Sequence, residues 1–150
     1  MPKFKFRLAT LMRLRENTRD ERRSELAEAY RVDDLLKRRI QSLAAEMDSL
    51  KAQRRVAAGP GTVDVDLLVE SQRCEVALKT QQAQFEQQRQ AIAGEIQSRQ
   101  QRLVEANREV RVLEKLREKQ LEKHRQEENR QEGKVLDEVA HQQVFRGAAQ

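Results

Sequence analysis

The chain has one strong break and, on either side of it, a hydrophobic repeat of period three-and-four. The break is "AAGPGTVD", residues 57 to 64. Gly-Pro-Gly cannot continue a helix and supplies a tight reversal. Upstream, Leu26, Ala29, Asp33, Leu36, Ile40, Leu43, Met47 and Leu50 form one frame, which reaches back through Arg22, Arg19, Arg15 and Met12 to Leu8. Downstream, Leu78, Gln82, Phe85, Arg89, Ile92, Ile96, Arg99, Leu103, Ala106, Val110 and Leu113 form a second. Heptads sustained beyond four repeats point to a coiled coil. The spacing predicts helix one over about residues 5–57, a turn over 58–63 and helix two from about residue 64, paired to about 120. Thr62 or Asp64 would cap helix two, with Asp66 adding favourable charge to its first turn.

A reversal near residue 60 makes facing residues sum to about 121 or 122. Leu36 then meets Phe85, Ala29 meets Ile92, Leu26 meets Ile96, Met12 meets Val110 and Leu8 meets Leu113. The polar interruption Asp33 falls opposite Arg89. The expected fold is therefore all-α, an antiparallel coiled-coil hairpin on the order of 80 Å long at about 1.5 Å per residue, forming a single domain with a C-terminal helical extension. Arg15, Arg19 and Arg22 occupy seam positions, and Arg22 faces Arg99. Like charges are costly at a dry interface, so these side chains should turn outward toward Glu21, Glu25 and Glu95. The stretch reads either as loose, hydrated packing or as a soft spot that lets a rod twist.

Composition supports long helices. Charged residues make up 37% and aromatics 3%, with no Trp, two Pro and five Gly, too little bulk for an ordinary globular core. The lone Cys74 excludes an intrachain disulfide and fits a reducing compartment; a small buried filler near the seam is its expected role. No apolar run approaches the roughly 18 residues of a membrane span, and the opening residues do not resemble a secretory signal. A cytosolic protein is the default expectation.

The net charge of +5 is uneven. Residues 1–23 hold eight Lys or Arg against three acids, and residues 99–120 hold seven against four. A basic end of this kind can meet nucleic acid, anionic lipid or an acidic protein, or stay solvated. Nucleic-acid recognition normally adds aromatic stacking or a reading motif, and neither is present. An acidic protein partner is the preferred reading.

Beyond about residue 121, helix two has no counterpart on helix one. Residues 121–132 are charged all round, and Gly133 weakens helical continuity by roughly 1 kcal/mol relative to Ala. Leu136, Val139, Ala140, Val144 and Phe145 then restore an apolar stripe. A short isolated helix is marginal in water, so the stripe needs a second surface: another protein, the shaft itself or a second copy. Phe4, Phe6, Leu8, Leu11 and Leu14 likewise concentrate apolar bulk near the start, more than one opposing helix can cover.

Catalysis needs groups converging in a pocket, and a two-helix rod offers none. There is no phosphate-binding glycine loop. His124 and His141 lack metal-ligand spacing and read as surface residues, and Asp137 and Glu138 point to different sides of a helix. An enzyme is not expected, nor a cofactor, a metal or a small-molecule substrate.

"FKFRLATLMRLRE" resembles the opening signature of the FliJ family, coiled-coil proteins of the bacterial flagellar type III export apparatus. Phe4, Phe6, Leu8, Leu11, Met12, Leu14, Arg15 and Glu16 occupy its positions. "KVLDEVAHQQVFR" resembles the family's ending, through Lys134, Leu136, Asp137, Glu138 and Ala140. "VLEKLREKQ" is also similar, whereas the Gln-rich middle carries no family signature. The resemblance implies a stalk like the central shaft of rotary ATPases. Its partners would be the flagellar export ATPase hexamer, the membrane-embedded export gate and the export chaperones, with the protein in the cytoplasm and peripheral to the inner membrane at the flagellar base. The ring-binding residues would be Phe4, Phe6, Leu8, Leu11, Leu14, Arg15, Leu136, Asp137, Glu138 and Ala140. The equivalent stalk of a virulence secretion system and a nucleic-acid-associated coiled coil are the alternatives.

Overall fold

The computed structural model describes residues 2–61 and 63–149. Two α-helices account for most of them: α1, Ala9–Ala57, and α2, Val65–Ala148. No strand occurs among the described residues, and the two helices pack against each other as an all-α hairpin.

The breaks follow local chemistry. The α1 helix ends where Gly59 and Pro60 stop it, with the Ala58 and Gly59 amides donating back to the Arg54 and Val56 carbonyls. Arg54 and Arg55 lie in the last turn, where cations suit the negative helix end. Gly61 has φ 142°, in a region that side chains rarely adopt, so the reversal depends on glycine there. Asp64 caps α2: its Oδ1 accepts from the Leu67 amide at 3.2 Å, and Asp66 sits in the first turn. The other candidate cap, Thr62, lies outside the described residues.

One helix boundary differs from expectation. The α1 helix begins at Ala9 rather than near residue 5. In "PKFKFRL" apolar and basic residues alternate with period two, which suits an extended segment better than a helix turn. The α2 helix runs unbroken through Gly133, because the Glu, Lys, Arg and Gln around it favour helix enough to absorb one glycine.

The chain forms two compact units, and each helix has residues in both. One unit comprises Asp20–Val104. Its core is a narrow seam in which Ala29, Leu36 and Leu43 of α1 are buried, flanked by half-buried Leu26, Ile40 and Met47. From α2, Leu78, Phe85, Ile92, Ile96 and Leu103 are half-buried. The other unit comprises residues 1–19 and 105–150. Here Ala106, Val110 and Leu113 are buried, with Leu8 and Met12 half-buried. Buried residues recur at intervals of seven, the period of coiled-coil packing.

Candidate interaction surfaces

Several polar residues in the seam are matched by partners, whereas the Nε of Arg19 is buried without a hydrogen bond. Arg89 Nε donates to Asp33 Oδ1 at 3.1 Å, the pair that the register predicts. Arg22 turns to Glu25 at 3.2 Å and Arg99 to Glu95 at 2.9 Å. Arg99 Nη1 also donates to the Glu25 backbone carbonyl. Each member of the like-charged pair thus has a carboxylate partner on its own helix. Arg15 finds Glu109 at 2.8 Å, a partner that the sequence reading did not anticipate.

Near the reversal the seam is polar. Arg54 Nη2 meets Glu75, its Nε reaches the buried Ser71 hydroxyl at 3.4 Å, and Lys79 joins Glu75 from the next turn at 2.9 Å. Hydrogen bonds from Lys79 and Arg54 hold the Glu75 carboxyl down to about 2 from its ordinary value of 4.5. Continuing the three-and-four spacing beyond Leu50 and before Leu78 would have found this group, since it lands on Arg54, Glu75 and Ser71. It also explains Cys74, which is exposed rather than a buried filler. Glu75 takes the seam slot, and its neighbour is turned about 100° around the helix.

In the unit containing the chain's first nineteen residues, an extended segment precedes α1. Phe4, Phe6 and Leu8 are half-buried, while Lys3, Lys5 and Arg7 are exposed. The Phe4 ring meets the His124 imidazole at a centroid distance of 5.6 Å, tilted by 44°. His124 Nε2 lies 3.1 Å from Glu128 Oε1, one turn along α2. Phe4 and Phe6 line an open groove with Ala9, Met12, Arg13, Glu16 and Arg117. His124, expected at the surface, is therefore half-buried, and α2 beyond residue 121 is not a wholly uncovered helix. The period-two alternation was the available signal.

The predicted ring-binding residues fall into two groups. Phe4, Phe6, Leu8 and Arg15 are half-buried, and Leu11 and Leu14 are exposed. Leu136, Asp137, Glu138 and Ala140 are all exposed. They stand about 18 Å beyond His124 along α2 at 1.5 Å per residue. Val135, Val139, Val144 and Phe145 are uncovered with them, Phe145 to 80%. Among the described residues no group of three or more His, Cys, Asp or Glu could hold a metal ion, and no helix is long and apolar enough to cross a membrane.

This layout has a counterpart among known proteins. The family model described as "Flagellar FliJ protein" matches residues 4–149. The chain belongs to the FliJ family. The match takes in the extended segment, both helices, the reversal and the uncovered end of α2. Membership in FliJ makes this a flagellar export-related coiled-coil protein. No curated protein and no solved structure matches the chain.

Proposed function

We propose that this FliJ-family chain acts as a single coiled-coil stalk in flagellar protein export, joining the export ATPase ring to the membrane-embedded export gate and to export chaperones. In this reading it hydrolyses nothing itself and works in the cytoplasm, peripheral to the inner membrane at the flagellar base. The ring takes the end that carries Phe4, Phe6, Leu8, Leu11, Leu14 and Arg15 together with Leu136, Asp137, Glu138 and Ala140. The observation that carries the reading is a family match over residues 4–149 on a chain whose α2 ends in an uncovered apolar stripe. A stripe of Leu136, Val139, Val144 and Phe145 gains by burial against a partner, as amphipathic helices do in a groove.

The test is a pull-down from an extract of flagellated cells, using the intact chain and a form lacking residues 134–150. Recovery of an export ATPase by the intact chain alone is the expected result. Equal recovery by both forms would remove the tail from the ring contact.

A further inference from the structure

We infer that residues 2–8 form a releasable strap over α2, and that its closure keeps Phe4 and Phe6 from the ATPase ring. The regulatory half of this rests on the ring contact proposed above; the strap itself does not. The α1 helix begins at Ala9, and the register places Ala9 opposite about residue 112 or 113. Leu113 is buried, yet Gln120, Leu121, His124 and Glu128 beyond it are still half-buried. Phe4, Phe6 and Leu8 are the half-buried side chains ahead of α1, and Phe4 lies against His124. The lengths agree. Residues 2–8 reach at most about 23 Å at about 3.3 Å each, and α2 runs about 23 Å from Leu113 to Glu128 at about 1.5 Å each. An extended segment thus takes over the covering of α2 where the facing helix stops.

Side chains alone hold the strap down. Among the described residues, its main-chain bonds run from the Ala9 amide to the Phe6 carbonyl and from the Met12 amide to the Leu8 carbonyl, and both belong to the start of α1. Its grip on α2 is the Phe4 ring on the His124 imidazole, 5.6 Å between centroids, with Phe6 in the groove beside Met12 and Arg117. Glu128 steadies the imidazole from the next turn, 3.1 Å from Nε2. The peptide groups of residues 2–5 meet water whether the strap is closed or open, so opening loses little beyond this apolar contact. Segments held by so few contacts open locally, far short of global unfolding. While the strap is closed, Phe4 and Phe6 are packed on the chain's own shaft. A ring that grips them binds the open form, and its apparent affinity is reduced by the fraction of chains that are open.

The experiment is amide hydrogen exchange of the full chain over residues 117–128, alongside its affinity for a purified export ATPase. His124→Ala removes the imidazole without touching a residue assigned to the ring. Alanine favours helix, so faster exchange in α2 reports an open strap rather than a weaker helix. An acceleration of about two- to tenfold is expected, the worth of one aromatic pair. Phe4→Ala should match it, and the two changes together should add nothing further. The affinity of His124→Ala for the ATPase should rise by the same factor as its exchange. Unchanged exchange in both single variants, or effects that add, would overturn the strap. Faster exchange with unchanged or weaker ATPase binding would overturn its regulatory role. Failure of native chain and variant alike to bind the ATPase would remove the ring contact, with faster exchange still upholding the strap.

Discussion

Asp33 and Arg89 occupy facing seam positions at which a coiled coil normally places Leu or Ile, and they meet at 3.1 Å with both side chains partly exposed. Removing one partner strands the other at the seam. Asp33→Ala should therefore cost about 1–2 kcal/mol in urea unfolding. The double change to Leu at both positions should recover that loss or exceed it, because a well-packed apolar pair often matches a partly buried ion pair. A double-mutant cycle checks both statements. Glu75 supplies a pH handle. Its folded value lies below its ordinary one, so its contribution is present above about pH 4.5 and is lost as pH falls toward 2. The stability difference between the native chain and Glu75→Gln should shrink across that window in acid melts. The Asp33–Arg89 pair was legible because both frames could be counted from a single break. The Arg54–Glu75–Ser71 group was legible only by spacing carried on from Leu50 and Leu78, because the apolar letters that mark a frame give out on both sides of the turn.

At the scale of elements, the two helices were legible from their period and their ends were not. Asp64 declares the start of α2 through its cap. Nothing comparable marks Ala9, where the chain changes from a period of two to one of three-and-four. The extended segment owes its position to a tertiary contact, Phe4 on His124, between residues far apart in sequence. Counting along one helix cannot reveal a segment laid across another. The seam itself was read closely enough to test. Leu36 is 7% exposed, and Leu36→Asp places a charge without a partner where a large side chain was buried. A loss of about 3 kcal/mol or more is expected, measured by denaturant melting, and a wild-type curve would discredit the register.

For the molecule as a whole, the decisive asymmetry is between side chains that hold the fold and side chains that wait for something else. From Lys134 to Ala148 every residue of α2 is exposed. Removing residues 134–150 should leave the melting temperature nearly unchanged while impairing motility. A large loss of helix stability would mean that the stripe is already covered. The apolar content of this end was legible, since Leu136, Val139, Val144 and Phe145 fall at helical spacing. The point at which α2 becomes uncovered was not, because Phe4 and its neighbours extend the covered part past residue 121.

Among the described residues only Ala29, Leu36, Leu43, Ala106, Val110 and Leu113 are buried apolar residues, a small number for a chain of 150. Unfolding therefore brings little new hydrocarbon into contact with water. The heat-capacity increment and the urea slope should both fall below those of a globular protein of equal length, since each scales with newly wetted area. Its stability curve against temperature should accordingly be flat, changing little between cold and warm growth conditions.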